Sequence, residues 1–408
     1  MNKTILTRHP SLPYLFHFRM EEDIVEELHV YPEAADSILG NIFVGKVQNV
    51  VKSIGAAFVL IDSERMGYLP LDDCIHPIYV KKGSSPSIQQ GDELLIQITR
   101  EAIATKEYSV STNLQLSGNF CILTSQDRKI GVSSKLSKTV RASLREWMNE
   151  HRKSEYGYIL RTCSATVEPN IRLEEIHALE EEMSQLIQLA PYKTPFTCVK
   201  QQPAIWIRSI LGSNPEITGP ILTDQADLYE ELQSYLKDSS TNSFEQSLYT
   251  DSYSLWNLYS FEKVVKQALS KKVWLPCGGY LIIEKTEAMW VIDVNSGKSI
   301  QGKQKEKNAL KVNLEAAKEI AHQMILRNMS GICMIDFINM KEETSMNQLI
   351  STVQKLLSKD PVGASFIDLT KLQIMEVTRT KKERPLCEIL EKDIVFFFKS
   401  IDEINVIC

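Results

Sequence analysis

Between Ile38 and Asn113 the apolar residues come in short runs cut by Gly and polar turns: Ile38–Val47, Ala56–Ile61, Leu94–Thr99 and Tyr108–Thr112. Short strands at this spacing predict a small β-barrel. The Ser-, Gln-, Lys- and Pro-rich stretch Lys81–Gly91 reads as a long loop inside it. Beyond the barrel, strand-like Phe120–Thr124 and Tyr158–Arg161 flank a predicted helix over Ser137–Arg152, and Leu173–Leu189 carries Leu and Glu at helical spacing. Two further helices, Leu228–Leu236 and Leu255–Leu269, are separated by the polar loop Ser239–Ser243.

The last third is the most regular. Strands Tyr280–Ile283, Met289–Asn295, Gly331–Ile338 and Ser365–Leu369 alternate with helices Asn308–Arg327 and Met346–Ser358. That order predicts a parallel α/β layer with crossover helices. The whole chain is therefore expected to be an α/β multidomain protein.

Two of these strands break their own apolar pattern. In Met289–Asn295 the pleat puts Asp293 and Asn295 on one face and Trp290, Ile292 and Val294 on the other. Gly331–Ile338 repeats the arrangement with Asp336. An unpaired carboxylate is costly to bury, so each needs a cation, a donor or solvent at a strand end. If the strands are neighbours, the two carboxylates lie ~4.8 Å apart by strand spacing, near the carboxyl ends where open α/β sheets place their sites. Two carboxylates and an amide there suit Mg²⁺, which keeps waters and engages phosphates. The bland alternative is that both aspartates cap turns or pair with lysines.

Length, 408 residues, points to two to four domains, and 43% hydrophobic with 24% charged residues is ordinary globular usage. No apolar run is long enough to span a bilayer, and Met1–Met20 has no signal-type core, so a cytoplasmic protein with no membrane partner is expected. The eight cysteines are scattered without a C-x-x-C pair, which reads as reduced thiols. Net charge is −6, so a polyanion partner must be met by local patches. Three stand out: Lys135, Lys138, Arg141 and Arg145; Lys298, Lys303, Lys305, Lys307 and Lys311; and Arg379, Lys381, Lys382 and Arg384. Taken alone, each patch reads as a solvated face.

Several blocks in order carry a resemblance: Leu275-Pro276-Cys277-Gly278-Gly279, Thr286-Glu287-Ala288, Ile292-Asp293-Val294-Asn295-Ser296, Asn313-Leu314-Glu315-Ala316-Ala317 and Ile335-Asp336-Phe337-Ile338. With them the chain resembles the ribonuclease E/G family of bacterial endoribonucleases over nearly its whole length. The resemblance implies that Asp293 and Asp336 hold a catalytic Mg²⁺ with Asn295 assisting. The implied reaction is hydrolysis of single-stranded RNA, rRNA precursor or mRNA, to 5′-phosphate and 3′-hydroxyl ends. It implies an S1-type (OB-fold) barrel near the N-terminus in which Phe58, Tyr68 and Lys106 contact RNA. It also implies a 5′-end sensor in which Arg161 and Thr162, with Gly118 and Ile122, bind a terminal monophosphate.

The matching organisation is residues 1–35 plus 209–270 as an RNase H-like region, 36–118 as the barrel, 119–208 as the mixed α/β sensor region and 271–408 as a DNase I-like catalytic domain with parallel strands. Without the resemblance, Phe58 reads as barrel core and Arg161-Thr162 as an ordinary strand end. The family's C-P-x-C zinc link has no match, since only Cys387 and then Cys408 follow the last predicted strand. A homo-oligomer stays open, but a zinc-tied dimer is not expected. Cys163-Ser164 stand where the family has Ala-Gly, and a counterpart of the family's small terminal domain or scaffold-binding tail is not expected. Two rival readings are an RNA-binding protein with little or no cleavage and a metal-dependent DNA nuclease.

Overall fold

The computed structural model describes residues 2–33, 37–102, 107–211, 218–237, 244–297, 305–381 and 383–398. The loop expected at Ser239–Ser243, and Lys106, Lys298, Lys303, Lys382 and Cys408, lie outside the described residues. The chain divides into two units, Met1–Ala35 with Pro215–Cys408, and Asp36–Asn214.

In the second unit, Ile42–Val51 pairs with Ala56–Leu60, followed in order by Met66–Pro70, Tyr108–Ser111 and Glu93–Arg100. Glu93–Arg100 pairs back onto Ile42–Val51 and closes a five-stranded barrel, consistent with the expected S1-like domain. Alternate residues fill it: Val47, Val59, Leu69, Ile96 and Val110 share one buried cluster. The strand Met66–Pro70 runs parallel to Tyr108–Ser111; with polar residues before it and Pro70 at its end, its periodicity is too short to announce a strand. A four-stranded sheet in the order Gln115–Ser117, Cys121–Thr124, Gly157–Leu160, Ile130–Val132 follows. The helices Lys138–His151 and Pro169–Leu189 supply Leu144, Met148, Ile176 and Met183 to its core. Ser137 caps the first of these, its side chain accepting the Val140 N–H. Pro169 opens the second a turn earlier than the Leu spacing suggests.

In the first unit, a five-stranded sheet is ordered Gln246–Leu248, Ile221–Thr223, Asn2–Arg8, Tyr14–Glu21, Ile24–Pro32. Phe16, Phe18, Trp256 and Phe261 pack in its core, Phe18 stacked on Phe261. The helix expected over Leu255–Leu269 is two helices, Leu255–Leu258 and Phe261–Leu269, because Ser260 at φ 53° breaks it. The kink lets Trp256 and Phe261 both face the sheet core.

A six-stranded sheet in the same unit is ordered Lys272–Trp274, Tyr280–Lys285, Trp290–Asn295, Gly331–Asp336, Ile374–Arg379, Ala364–Leu369. Trp290–Asn295 and Gly331–Asp336 are its parallel neighbours. The parallel layer expected from the sequence is corrected at two places: Tyr280–Lys285 pairs antiparallel with Trp290–Asn295, and Ile374–Arg379, an unpredicted strand, inserts antiparallel between Gly331–Asp336 and Ala364–Leu369. Arg379 does not belong to a basic surface either. It is buried, its Nε donating to Asp360 Oδ2 at 2.7 Å and its Nη1 to Asn328 Oδ1 at 2.8 Å, while Lys381 and Arg384 are exposed.

Also in this unit, His29 lies between two carboxylates, Glu383 at 3.1 Å and Glu27 at 3.6 Å, and Arg19 binds Glu27 at 2.8 Å. Burial disfavours the imidazolium, but the ion pairs with Glu27 and Glu383 win and push His29 up to about 9. Burial likewise opposes ionisation of Glu27, but His29 and Arg19 hold it down to about 2. The His29 contribution to stability is complete below its ordinary value of 6.5 and is lost as pH rises through about 9. The Glu27 contribution is complete above 4.5 and is lost as pH falls through about 2. Urea midpoints are therefore expected to fall from pH 6 to pH 9, and less steeply in His29→Gln. Equal slopes in the two proteins would contradict this account.

Candidate active site

Trp290–Asn295 alternates strictly: Trp290, Ile292 and Val294 are buried, Val291 and Asp293 are exposed and Asn295 is half-buried. The buried side packs on the helices Lys305–Leu326 and Glu343–Leu357 through Ile292, Ile335, Ala316, Ile320, Leu349 and Val353. The other side is open. Asp293 pairs in register with Asp336 across the parallel ladder, so both exposed carboxylates leave the same face, one strand spacing of ~4.8 Å apart. Asp336 ends its strand and Asp293 lies two residues from the end of its own. The Asn295 side-chain amide donates to Asp293 Oδ2 at 2.6 Å, which fixes that carboxylate's orientation. Among the described residues no group of three or more His, Cys, Asp or Glu could hold a metal. The donors the two strands offer are the carboxylates of Asp293 and Asp336, a set that suits a cation keeping most of its waters, such as Mg²⁺.

The loops around this pair are tied to one helix, Lys305–Leu326. Asn313, fully buried, accepts the Ile338 N–H at 3.0 Å and donates to the Ile338 carbonyl at 2.8 Å, pinning the chain just after Asp336. Two residues on, Glu315 accepts the Cys277 N–H at 3.0 Å in the Leu275–Gly279 turn. That turn abuts the end of the Asp293 strand: a Cβ on Gly297, at φ +56°, would come within 2.4 Å of the Gly278 carbonyl. Sequence reasoning assigned Asn313 and Glu315 no role. The available signal was a polar Asn among Ala309, Val312, Ala316 and Ala317 on the buried helix face.

In the second unit, Phe58 and Tyr68 are register partners on neighbouring barrel strands, with ring centroids 6.0 Å apart at 74°. Phe58 is not barrel core. Its neighbours Ala57 and Val59 are fully buried while Phe58 and Tyr68 are half-buried, so both rings face outward.

The residues expected to read an RNA 5′ end come together at one end of the four-stranded sheet. Arg161 Nη1 donates to the Gly118 carbonyl at 2.9 Å, and the Thr162 hydroxyl lies 2.8 Å from that of Ser133. Ile122, half-buried, registers against Ile159, itself 40% exposed. Glu175 accepts three consecutive N–H groups, from Asn119 at 2.7 Å, Phe120 at 2.7 Å and Cys121 at 3.1 Å. Burial pushes its carboxyl above the ordinary range, against those donors and Arg161. Gly118 is required for this approach, since a Cβ there would lie 2.4 Å from Glu175 Oε1. Of the departures from the family pattern, Cys163 donates its thiol to the Asn119 carbonyl at 3.0 Å. Ser164 is buried, and its carbonyl accepts from Arg172 at 2.8 Å.

Lys135, Lys138 and Arg145 are exposed and Arg141 is half-buried; Lys305, Lys307 and Lys311 are exposed. Cys387 is buried in the short helix Leu386–Ile389. Among the described residues no helix is long and apolar enough to cross a membrane.

The fold is mixed α/β and carries a small β-barrel. The model of the Ribonuclease E/G family matches residues 115–382, and the chain belongs to that family. It is 27% identical to Ribonuclease G of Haemophilus influenzae, over 91% of this chain and 78% of the relative. It is 26% identical to Ribonuclease G of Escherichia coli K12, over 90% and 78%. To Ribonuclease E of a Nostoc species it is 28% identical, over 90% of this chain and 54% of that longer protein.

Proposed function

We propose that the chain is a Mg²⁺-dependent endoribonuclease that cuts single-stranded RNA, rRNA precursor or mRNA, leaving 5′-phosphate and 3′-hydroxyl ends. The observation that carries this reading is the in-register pair Asp293 and Asp336 on the open sheet face. Their carboxylates would hold the ion, and Asn295 would keep Asp293 turned toward it. When bound, Mg²⁺ supplies Lewis acidity for phosphodiester hydrolysis. Asn313 and Glu315 hold the flanking loops, so the ligand pair is set before substrate arrives.

Phe58 and Tyr68 offer outward rings on which bases of any identity stack, and Lys106, outside the described residues, is the basic residue that the family likeness assigns to the same RNA contact. Arg161 and Thr162 bind a 5′-terminal monophosphate through guanidinium and hydroxyl donors, beside Gly118 and Ile122. The barrel favours RNA over DNA as substrate, and the cytoplasm is the compartment where such substrates occur.

One assay tests the reading as a whole. Matched single-stranded RNA and DNA oligonucleotides, each with a 5′-monophosphate or a 5′-hydroxyl, are incubated with the full chain in Mg²⁺ or in EDTA. Cleavage is expected for RNA alone and in Mg²⁺ alone, faster with the monophosphate. Preferential cutting of DNA would remove the substrate assignment, cutting in EDTA the metal assignment, and equal rates on the two 5′ ends the sensor.

A further inference from the structure

The hairpin beside the carboxylate pair carries a feature the proposed chemistry has not used. Trp274 lies directly opposite Tyr280, and Tyr280 directly opposite Asn295. Directly paired residues share a sheet face, so Trp274, Tyr280 and Asn295 form one row on the face of Asp293. The next row on that face is Lys272, Ile282, Asp293 and Asp336. The Lys272 ammonium sits 4.0 Å from the Trp274 ring centroid and 3.8 Å from that of Tyr280, and the two rings are 5.3 Å apart at 62°.

Trp274 is 65% exposed, whereas Trp206, Trp256 and Trp290 are buried and Trp147 is half-buried with the Arg172 guanidinium over its ring. An indole held open to water forgoes the stabilisation its burial would bring. Here it is flanked by a cation and sits two strand spacings, ~10 Å, from the strand of Asp293. That places it within reach of the nucleotides flanking a phosphate held at the carboxylates. Lys272 lies over the indole ring, and the side chain's exposure leaves surface on which a base can stack.

We propose that Trp274, Tyr280 and Lys272 form a nucleotide subsite continuous with the carboxylate pair. The exposed indole stacks on a base flanking the scissile phosphate, and Lys272 meets the neighbouring backbone phosphate. The occupant is single-stranded RNA, on two grounds: the subsite shares a sheet face with Asp293 and Asp336, and its one charge is complementary to phosphate. The inference rests on the reading of that pair as the cutting centre.

The test uses the full chain with a single-stranded RNA decamer. In EDTA, titration with the RNA is expected to quench tryptophan emission in the wild type, and Trp274→Phe is expected to remove most of that quench. In Mg²⁺, Trp274→Ala is expected to raise KM about tenfold, as loss of one stacked base implies, with a smaller change in kcat. Lys272→Met is expected to raise KM and weaken its salt dependence. Trp274→Phe keeps a stacking ring and should hold KM near the wild-type value, which a merely structural indole would not require.

Cleavage that proceeds with wild-type KM in Trp274→Ala, and no quench in the wild type, overturns the subsite and leaves the nuclease reading standing. A Trp274-dependent quench without any cleavage does the reverse. If Trp274→Ala instead lowers the oligomeric state in sedimentation while KM is unchanged, the face binds protein and the subsite is overturned.

Discussion

Asp293→Asn and Asp336→Asn are each expected to slow cleavage of single-stranded RNA by on the order of a thousandfold, the several kcal/mol that metal-supplied charge stabilisation is worth. RNA affinity in the absence of Mg²⁺ should stay within about twofold, because binding is assigned to rings and cations elsewhere. The substitution is isosteric and both side chains are exposed, so folding should be spared and the loss is chemical. Single-turnover rates and fluorescence anisotropy measured on the same preparations separate the two terms. An asparagine variant that cuts at the wild-type rate would end the assignment of this pair. So would parallel loss of affinity and rate, which would make the site a binding surface and favour the non-cleaving RNA-binding alternative.

The second large effect concerns stability. Arg379 and Asp360 form a buried ion pair with side chains 2% and 4% exposed. Asp360 also accepts the Val362 and Gly363 N–H groups at 2.8 Å each, and Arg379 reaches the Met329 carbonyl at 3.2 Å. Arg379→Ala or Asp360→Ala leaves the partner charge buried and unpaired, a loss of about 3–5 kcal/mol in comparable pairs. Urea denaturation of the single and double variants measures it. The double variant should be less destabilised than the two singles added together, because neither orphaned charge survives in it. Additive losses would mean that the pair carries no coupling. Arg379 registers against Gly331 at the start of the Asp336 strand, so the single variants should also loosen the strand that carries a proposed ligand.

The same arginine shows why part of the fold was hidden in the sequence. In Ile374–Arg379 the buried positions are Met375, Val377 and Arg379. A charge on the inward face breaks the apolar alternation that marks a strand, and Arg379 reads instead as the first member of a basic patch with Lys381, Lys382 and Arg384. Tyr14–Glu21 failed to register for the opposite reason, since Tyr14 through Phe18 are all buried and leave no alternation to detect. By contrast, Trp290–Asn295 and Gly331–Asp336 were legible because each has one wet face and one dry face. Their alternation fixed which side the aspartates take. That they meet in register was not legible, because strand pairing is a tertiary fact. Phe58 misled for a related reason: local pattern cannot say which side of a barrel wall is inside until the closing pair of strands is known.

The dual grip of Lys305–Leu326 has a consequence for how this protein can change. Asn313 and Glu315 stand two residues apart on one rigid rod, each clasping a different segment of backbone. Inserting a single residue between them would swing one grip by about 100° around the rod's axis, so the two clasps could no longer close together. A length change between the two grips is thus incompatible with both clasps, whereas exchanges that preserve the helical phase keep them.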